Sequence, residues 1–264
     1  MTKQRRWLTG KTIALSVSPP EDLAVRGLGP EHLHDALGEI TRQLLALGAQ
    51  LIYGGDLRIG GVTKLLFELA ARYAPPLGQH ADRPPSIIDV LAFPMHAELT
   101  VNELTSWESE FAPIGELRYL GPRGEAWSCK TRPPKLTQIP SDEWPDALTT
   151  MRRYVTTSSH ARIVLGGKAA GFVGRMPGIT EEALVSVIAS QPLFAVGGFG
   201  GAASAVASQI AESHTVRRPE DGELFPVTAK NGLDDAEEHR LAVSPHIDEI
   251  TLLLTRGLTR VFAE

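Results

Sequence analysis

Three short apolar runs in this chain each end in paired glycines, and that recurrence constrains the fold more than any other feature. They are Leu51-Ile52-Tyr53-Gly54-Gly55-Asp56, Ile163-Val164-Leu165-Gly166-Gly167, and Phe194-Ala195-Val196-Gly197-Gly198-Phe199-Gly200-Gly201. Each run has the length and composition of a buried strand. Each glycine pair opens toward a helical pattern. In an open parallel sheet, ligands bind in the crevice at the carboxyl ends of the strands. Glycine there lets a phosphate or ribose approach the backbone with no Cβ in the way. The turns predict a pocket for a nucleotide-like molecule, with Gly54, Gly55, Gly166, Gly167 and Gly197 to Gly201 as its floor.

The remaining periodicity agrees with an α/β chain. Thr12 to Ser18 reads as a first strand, ended by Pro19-Pro20. Pro30 opens a helix whose stripe is Leu33, Leu37, Ile40, Leu44, Leu45 and Leu47. Helical patterns also cover Val62 to Tyr73, Asp146 to Thr157, Gly178 to Ser190, Gly200 to Ile210 and Ile247 to Val261. Strands are expected at Gln50 to Tyr53, Ser86 to Phe93, Ala161 to Leu165 and Pro192 to Val196. Charges and breakers fill 213 to 240. Strands alternating with helices predict a Rossmann-like, doubly wound, mainly parallel sheet with helices on both faces. We expect one domain over 8–258, with an irregular insertion at about 94–144 and a short strand at Gly115 to Leu120 inside it.

Composition narrows the partners. The 264 residues carry a formal net charge of -5 and one cysteine, Cys129. That balance shows no basic stripe, so nucleic acid is not expected as a partner. A single cysteine excludes an internal disulfide framework and fits a cytoplasmic protein. No apolar run reaches the length of a membrane span, so no membrane partner is expected. The eight histidines show no metal-ligand spacing, and neither metal nor cofactor is expected. His96, after the third strand, is the histidine worth following. Trp107 and Trp127 are read as a base-stacking pair or as loop anchors. None of the glycine turns carries the Lys-Ser or Lys-Thr of a P-loop. The first strand ends in Ser16-Val17-Ser18-Pro19-Pro20, without the dinucleotide fingerprint. The hydroxyls of Ser16 and Ser18 are phosphate donors or satisfied strand-end serines. Asp56 and Arg58 follow the first glycine pair as ligand contacts or as a solvated loop.

The densest constellation runs from Gly166 to Ala183. Lys168 and Arg175 stand in a glycine-rich loop, and Glu181 and Glu182 stand in the first turn of a helix. Acids in a first turn suit the helix dipole. Cations in a flexible loop beside a helix N-terminus suit a phosphate. A carboxylate in the same pocket binds ribose hydroxyls or stabilises an oxocarbenium-like transition state, by the logic of glycosidases.

This segment resembles the Pro-Gly-Gly-x-Gly-Thr-x-x-Glu signature of lysine-decarboxylase-like phosphoribohydrolases. Gly166-Gly167 match its paired glycines, and Gly178-Ile179-Thr180-Glu181-Glu182 match its second half. Tyr53-Gly54-Gly55 with Gly60-Gly61 resembles that family's other glycine motif, and Met151-Arg152-Arg153 its Met-x-x-Arg-Lys element. The resemblance places Glu182 on the catalytic glutamate and Arg152 or Arg153 on the catalytic arginine. The signature proline is missing, Ile179 replaces threonine, and Lys168 to Pro177 is inserted between the halves. The whole chain is similar to the wider SLOG superfamily, which joins Smf/DprA-like and LOG-like Rossmannoid domains. Within it, Gly174 to Gly178 and Gly197 to Ala203 resemble the Gly-Arg-Met-Pro-Gly and Gly-Gly-Phe-Gly-Gly-Ala-Ala motifs of a compact bacterial cluster.

The resemblance implies a ligand of ADP-ribose or nucleoside phosphate type, such as signals in bacterial antiviral defence. Two activities follow from it. In one, the chain is a sensor that acts through self-association or a separate effector protein. In the other, it is an N-glycoside hydrolase that cleaves a nucleotide to base and ribose phosphate. Lys168, Arg175 and the amides of Gly198, Phe199, Gly200 and Gly201 would then hold phosphate, and Glu181 or Glu182 would face ribose.

Overall fold

The structure is a computed structural model that describes residues 6–55, 57, 61–73, 84–133, 135–136, 142–213, 215–217, 224–226 and 229–263. Strands β1 (Thr12–Ser18), β2 (Gln50–Gly55), β3 (Ile87–Leu91), β4 (Gly115–Leu120), β5 (Ala126–Trp127), β6 (Ala161–Gly166) and β7 (Leu193–Val196) make one seven-stranded sheet. Its order is β5-β4-β3-β2-β1-β6-β7. Every neighbouring pair is parallel except β4 and β5. The chain winds outward from β1 to β4 and then returns to place β6 on the other side of β1. The topological switch point therefore lies between β1 and β6, where Ser18 stands in register with Gly166. A separate antiparallel pair joins β8 (Thr215–Arg217) and β9 (Leu224–Pro226).

Alternation along the strands sorts the side chains into two layers. Ile13, Leu15, Leu51, Ile163, Leu165, Phe194 and Val196 face one side. There they meet the apolar stripes of α1 (Pro30–Ala46), α2 (Val62–Tyr73) and α9 (Ile247–Phe262), including Leu37, Leu66 and Leu254. Ala14, Ile52, Ile88 and Val90 face the other side and meet Leu148, Met151 and Val155 of α5 (Glu143–Thr157). Val164 and Ala195 continue that face under α6 (Gly178–Ile188) and α7 (Gly201–Ser213). The doubly wound architecture is thus the one the periodicity implies.

The stretch from 94 to 144 is more regular than expected. It holds α3 (Phe93–Ala97), α4 (Val101–Phe111) and β4, which pairs in parallel with β3. The periodic signal of α4 is thin because only Leu104 and Phe111 are buried on it. Its start is set by a capping box: Thr100 accepts from the Glu103 amide, and Glu103 accepts from the Thr100 amide. A second capping box, Asp234 with Glu237, starts α8 (Asp235–Val243) within the stretch read as charges and breakers.

Candidate functional site

Strand β6 carries an arginine where its alternation demands a core residue. Arg162 points to the α5–α6 side of the sheet, next to Ala14 of β1, whose small side chain leaves room for it. It is 1% exposed. Its guanidinium donates to Ser186 Oγ at 2.7 Å, Ser16 Oγ at 2.7 Å, Thr156 Oγ1 at 2.9 Å and Glu182 Oε2 at 3.2 Å. Burial holds its pKa below the usual arginine value, with Glu182 pulling it up and Arg152 pushing it down. An outer ring is also bonded: Ser186 donates to Gln191 Oε1 at 2.8 Å, and Gln191 Nε2 donates to the Ser159 carbonyl at 2.9 Å.

Helix α5 supplies the second arginine. Thr149, Arg152 and Thr156 share one helical face at i, i+3 and i+7. Arg152 Nη1 donates to Glu181 Oε2, and Thr149 Oγ1 donates to Glu181 Oε1. Arg152 Nε lies 3.7 Å from Glu182 Oε1 and makes no hydrogen bond among the described residues. Glu181 closes the first turn of α6 and Glu182 follows it about 100° further round, so one meets Arg152 and the other reaches Arg162 as well. The result is a quartet of two arginines and two glutamates packed between the sheet and helices α5 and α6, with Arg162 the second residue of β6 and Glu182 13% exposed.

The glycine-rich loop between β6 and α6 packs onto this quartet. A Cβ on Gly174 would lie 3.0 Å from Arg152 Nη1, and one on Gly178 would lie 2.9 Å from Nη2. The glycines of Gly174-Arg175-Met176-Pro177-Gly178 therefore let backbone approach a guanidinium. Removing four charged groups from water is costly unless each is paired. The arrangement contributes little stability over an apolar core, so it marks this side of the sheet as the candidate site.

A family model described as SLOG cluster2 matches residues 7–240. The chain belongs to this SLOG family. No curated protein matches it. A solved structure described by its single-stranded DNA binding mode, DNA processing protein A from Helicobacter pylori, is similar to the SLOG chain at 17% identity and a TM-score of 0.41. The match covers 74% of this chain and 67% of that one. The expectation that nucleic acid is excluded as a partner is corrected by that finding. The physical reason is that a net charge of -5 is a sum over the whole chain and leaves local clusters of arginine intact. Among the described residues, no helix is long and apolar enough to cross a membrane.

The residues singled out in the SLOG sequence fall into three groups. Arg152, Glu181 and Glu182 come together, with Ser16 joined to them through Arg162. Of the two arginines left open by register, Arg152 is buried in this cluster and Arg153 is exposed on α5. Lys168 and Arg175 are exposed in the β6–α6 loop, and Arg175 pairs with Asp146. Ser18 is half-buried beside Gly166, and its carbonyl accepts from the Gly167 amide at 2.7 Å. Asp56, Arg58 and Gly60 lie outside the described residues.

The glycines that end β2 and those that follow β7 are spoken for by the chain itself. Gly54 sits under Met151 Sδ, which a Cβ would meet at 2.3 Å. Cβ atoms on Gly197 and Gly198 would each lie 2.0 Å from a carbonyl oxygen, of Ala242 and Ser244 respectively. Gly55 is close-packed against Thr63, and Phe199 is fully buried. The amides of Gly200, Gly201 and Ala202 donate to the Gly197 carbonyl, Asp22 Oδ1 and the Gly167 carbonyl at 3.0, 2.9 and 3.0 Å. Asp22 comes from the loop after β1 and is itself held by Arg26 at 2.9 Å. The turn after β7 thus faces an internal seam, whereas a phosphate floor was expected there.

His96 is fully buried, with Nε2 2.9 Å from the Leu120 carbonyl and its ring edge-on to Phe93, Tyr119 and Trp127. Burial pushes its pKa down to about 4. It is a neutral core residue. Trp107 packs on Phe111, and Cys129 is buried 3.7 Å from Thr105 Oγ1. Arg162 is the residue that sequence reasoning missed. Its only signal was a charged side chain inside an otherwise apolar strand.

Proposed function

We propose that this SLOG chain binds a nucleotide-derived small molecule of ADP-ribose or nucleoside phosphate type and acts as a sensor. Binding would be passed to a second copy of the chain or to a separate effector protein in bacterial defence. The observation that carries this reading is the Arg152–Glu181–Glu182–Arg162 quartet on the α5–α6 side of the sheet, in a chain of a SLOG family. Both carboxylates are already matched by guanidinium groups. A carboxylate clamped in this way projects little negative potential onto a nearby sugar carbon. That favours binding over glycosidic cleavage.

A second reading has its own support. Arg152 meets both Glu181 and Glu182, the residue types that the phosphoribohydrolase resemblance assigns to catalysis. In that reading Glu182 supports the oxocarbenium ion and Arg152 holds phosphate. The test is mass spectrometry of small molecules carried by the purified protein, then incubation with AMP, ADP-ribose, NAD and cyclic ADP-ribose. A sensor retains an intact nucleotide and releases no product. Free base and ribose phosphate, abolished by Glu182→Gln with binding preserved, would replace the sensor with the hydrolase.

A further inference from the structure

Outside the quartet, a cleft of about 530 Å³ runs between the exposed flanks of α5 and α6. Its roof is the β4–β5 turn, through Pro122 and Arg123. Its lining includes Glu181, so the cleft borders the quartet. The volume is that of a small-molecule site.

Three arginines from three separate elements line it: Arg123 of the β4–β5 turn, Arg153 of α5 and Arg175 of the β6–α6 loop. Only two carboxylates line it, and each is already matched. Glu181 is held by Arg152 and Thr149, and Asp146 by Arg175. Arg123 and Arg153 make no ion pair among the described residues. Two positive charges are thus left over at the cleft. The Arg175–Asp146 pair is exposed on both sides, at 52% and 68%, and such surface pairs contribute little. The hydroxyls of Thr149 and Thr150 stand on the same wall. Opposite them, Leu184, Val185 and Ile188 form an apolar wall that ends in a 58% exposed Ile188.

We infer that the α5–α6 cleft is a binding site for a phosphate or diphosphate dianion carried on a small apolar body, with Arg123 and Arg153 as its anion clamp. Guanidinium forks suit phosphate oxygens, and charge-assisted hydrogen bonds are the strong ones. The apolar wall takes the non-phosphate part of the ligand. The nucleotide character of that part rests on the proposed function. The dianion rests on the residues of the cleft alone.

The test is calorimetric titration of the full chain at low ionic strength with pyrophosphate, ribose 5-phosphate, AMP and ADP-ribose, for wild type, Arg123→Gln, Arg153→Gln and Lys168→Ala. All three side chains are exposed, so the folds should survive, and circular dichroism checks this. Wild type is expected to bind pyrophosphate and at least one nucleotide. Each arginine variant should weaken both about tenfold or more, and by a larger factor than Lys168→Ala does. Added salt should weaken binding. Pyrophosphate bound through the two arginines with no nucleotide bound would keep the cleft and remove the proposed function. Nucleotide binding that Lys168→Ala weakens and the arginine variants do not would keep the proposed function and overturn the cleft. So would a single-stranded oligonucleotide bound through these arginines with no binding of the small phosphates. A self-association equilibrium that the arginine variants shift, with ligand affinity unchanged, would overturn it as well. Absence of any binding would remove both.

Discussion

Arg162 and Ile163 are neighbours in one strand, yet they enter two different solvents. Ile163 joins a hydrocarbon layer between the sheet and α1, α2 and α9. Arg162 enters a polar layer in which guanidinium, carboxylate and hydroxyl groups satisfy one another. The first layer follows from area removed from water and is what holds the sheet together. The second trades hydration for geometry, and an apolar replacement of similar volume would be at least as stable. A chain that retains such a layer retains it for what the geometry does. Stability rests mainly on the α1–α9 side, and the proposed function places recognition on the α5–α6 side.

The largest effect should come from breaking the polar layer on one side only. Arg162→Met leaves Glu182 buried with its nearest cation gone and should cost about 3 to 5 kcal/mol of unfolding free energy. The double variant Arg162→Met/Glu182→Leu should recover a good part of that loss. A double variant as unstable as the sum of the singles would mean that the two residues do not act as a pair. Next in size, Leu254→Ala in the hydrocarbon layer should cost about 3 kcal/mol by denaturant unfolding and leave ligand affinity within error. Altered affinity there would erase the division of labour.

The smallest effect is a pH dependence at the edge of the hydrocarbon layer. Burial raises the Glu237 pKa, but hydrogen bonds from Arg260 and Arg256 and from the Asp234 amide outweigh it and bring the pKa down to about 2. A folded-state pKa below the unfolded one stabilises above the unfolded value, and that contribution is lost as pH falls through the folded value. The stability gap between wild type and Glu237→Gln should be full at pH 5 and close as pH approaches 2. A gap that does not narrow in that window would remove Glu237 as its source.

The hydrocarbon layer was readable in the sequence because its residues announce themselves by spacing. Leu33, Leu37, Ile40 and Leu44 mark α1, and Ile13, Leu15 and Val17 alternate along β1. Three of the four quartet residues were readable too, standing in motif-like positions: Glu181, Glu182 and, with the register left open against Arg153, Arg152. Arg162 was not, because a strand is read by its apolar majority. A single charge within it shows its meaning only when Ala14, Ser16 and Ser186 are seen around it. The glycines after β7 teach the converse. A glycine reports that something comes close, and says nothing of whether that neighbour is a ligand or, as at Gly197 and Gly198, the carbonyls that end α8 and follow it. Arg123 stood in the stretch read as an irregular insertion.

The hydrogen bond from Arg162 to Ser16 spans 146 positions of chain. It crosses the β1–β6 junction, which joins the two halves of the winding. Contacts of that separation carry a loop-closure cost before they return any enthalpy, and they slow folding more than they weaken the folded state. Secondary structure in either half can therefore form without the clamp on Glu182. Binding competence should return in refolding together with the slowest recovery of far-apart contacts, after most of the helical signal. Under the proposed function, recognition is a property of the completed winding, and the Ser16–Arg162 bond records when that winding has closed.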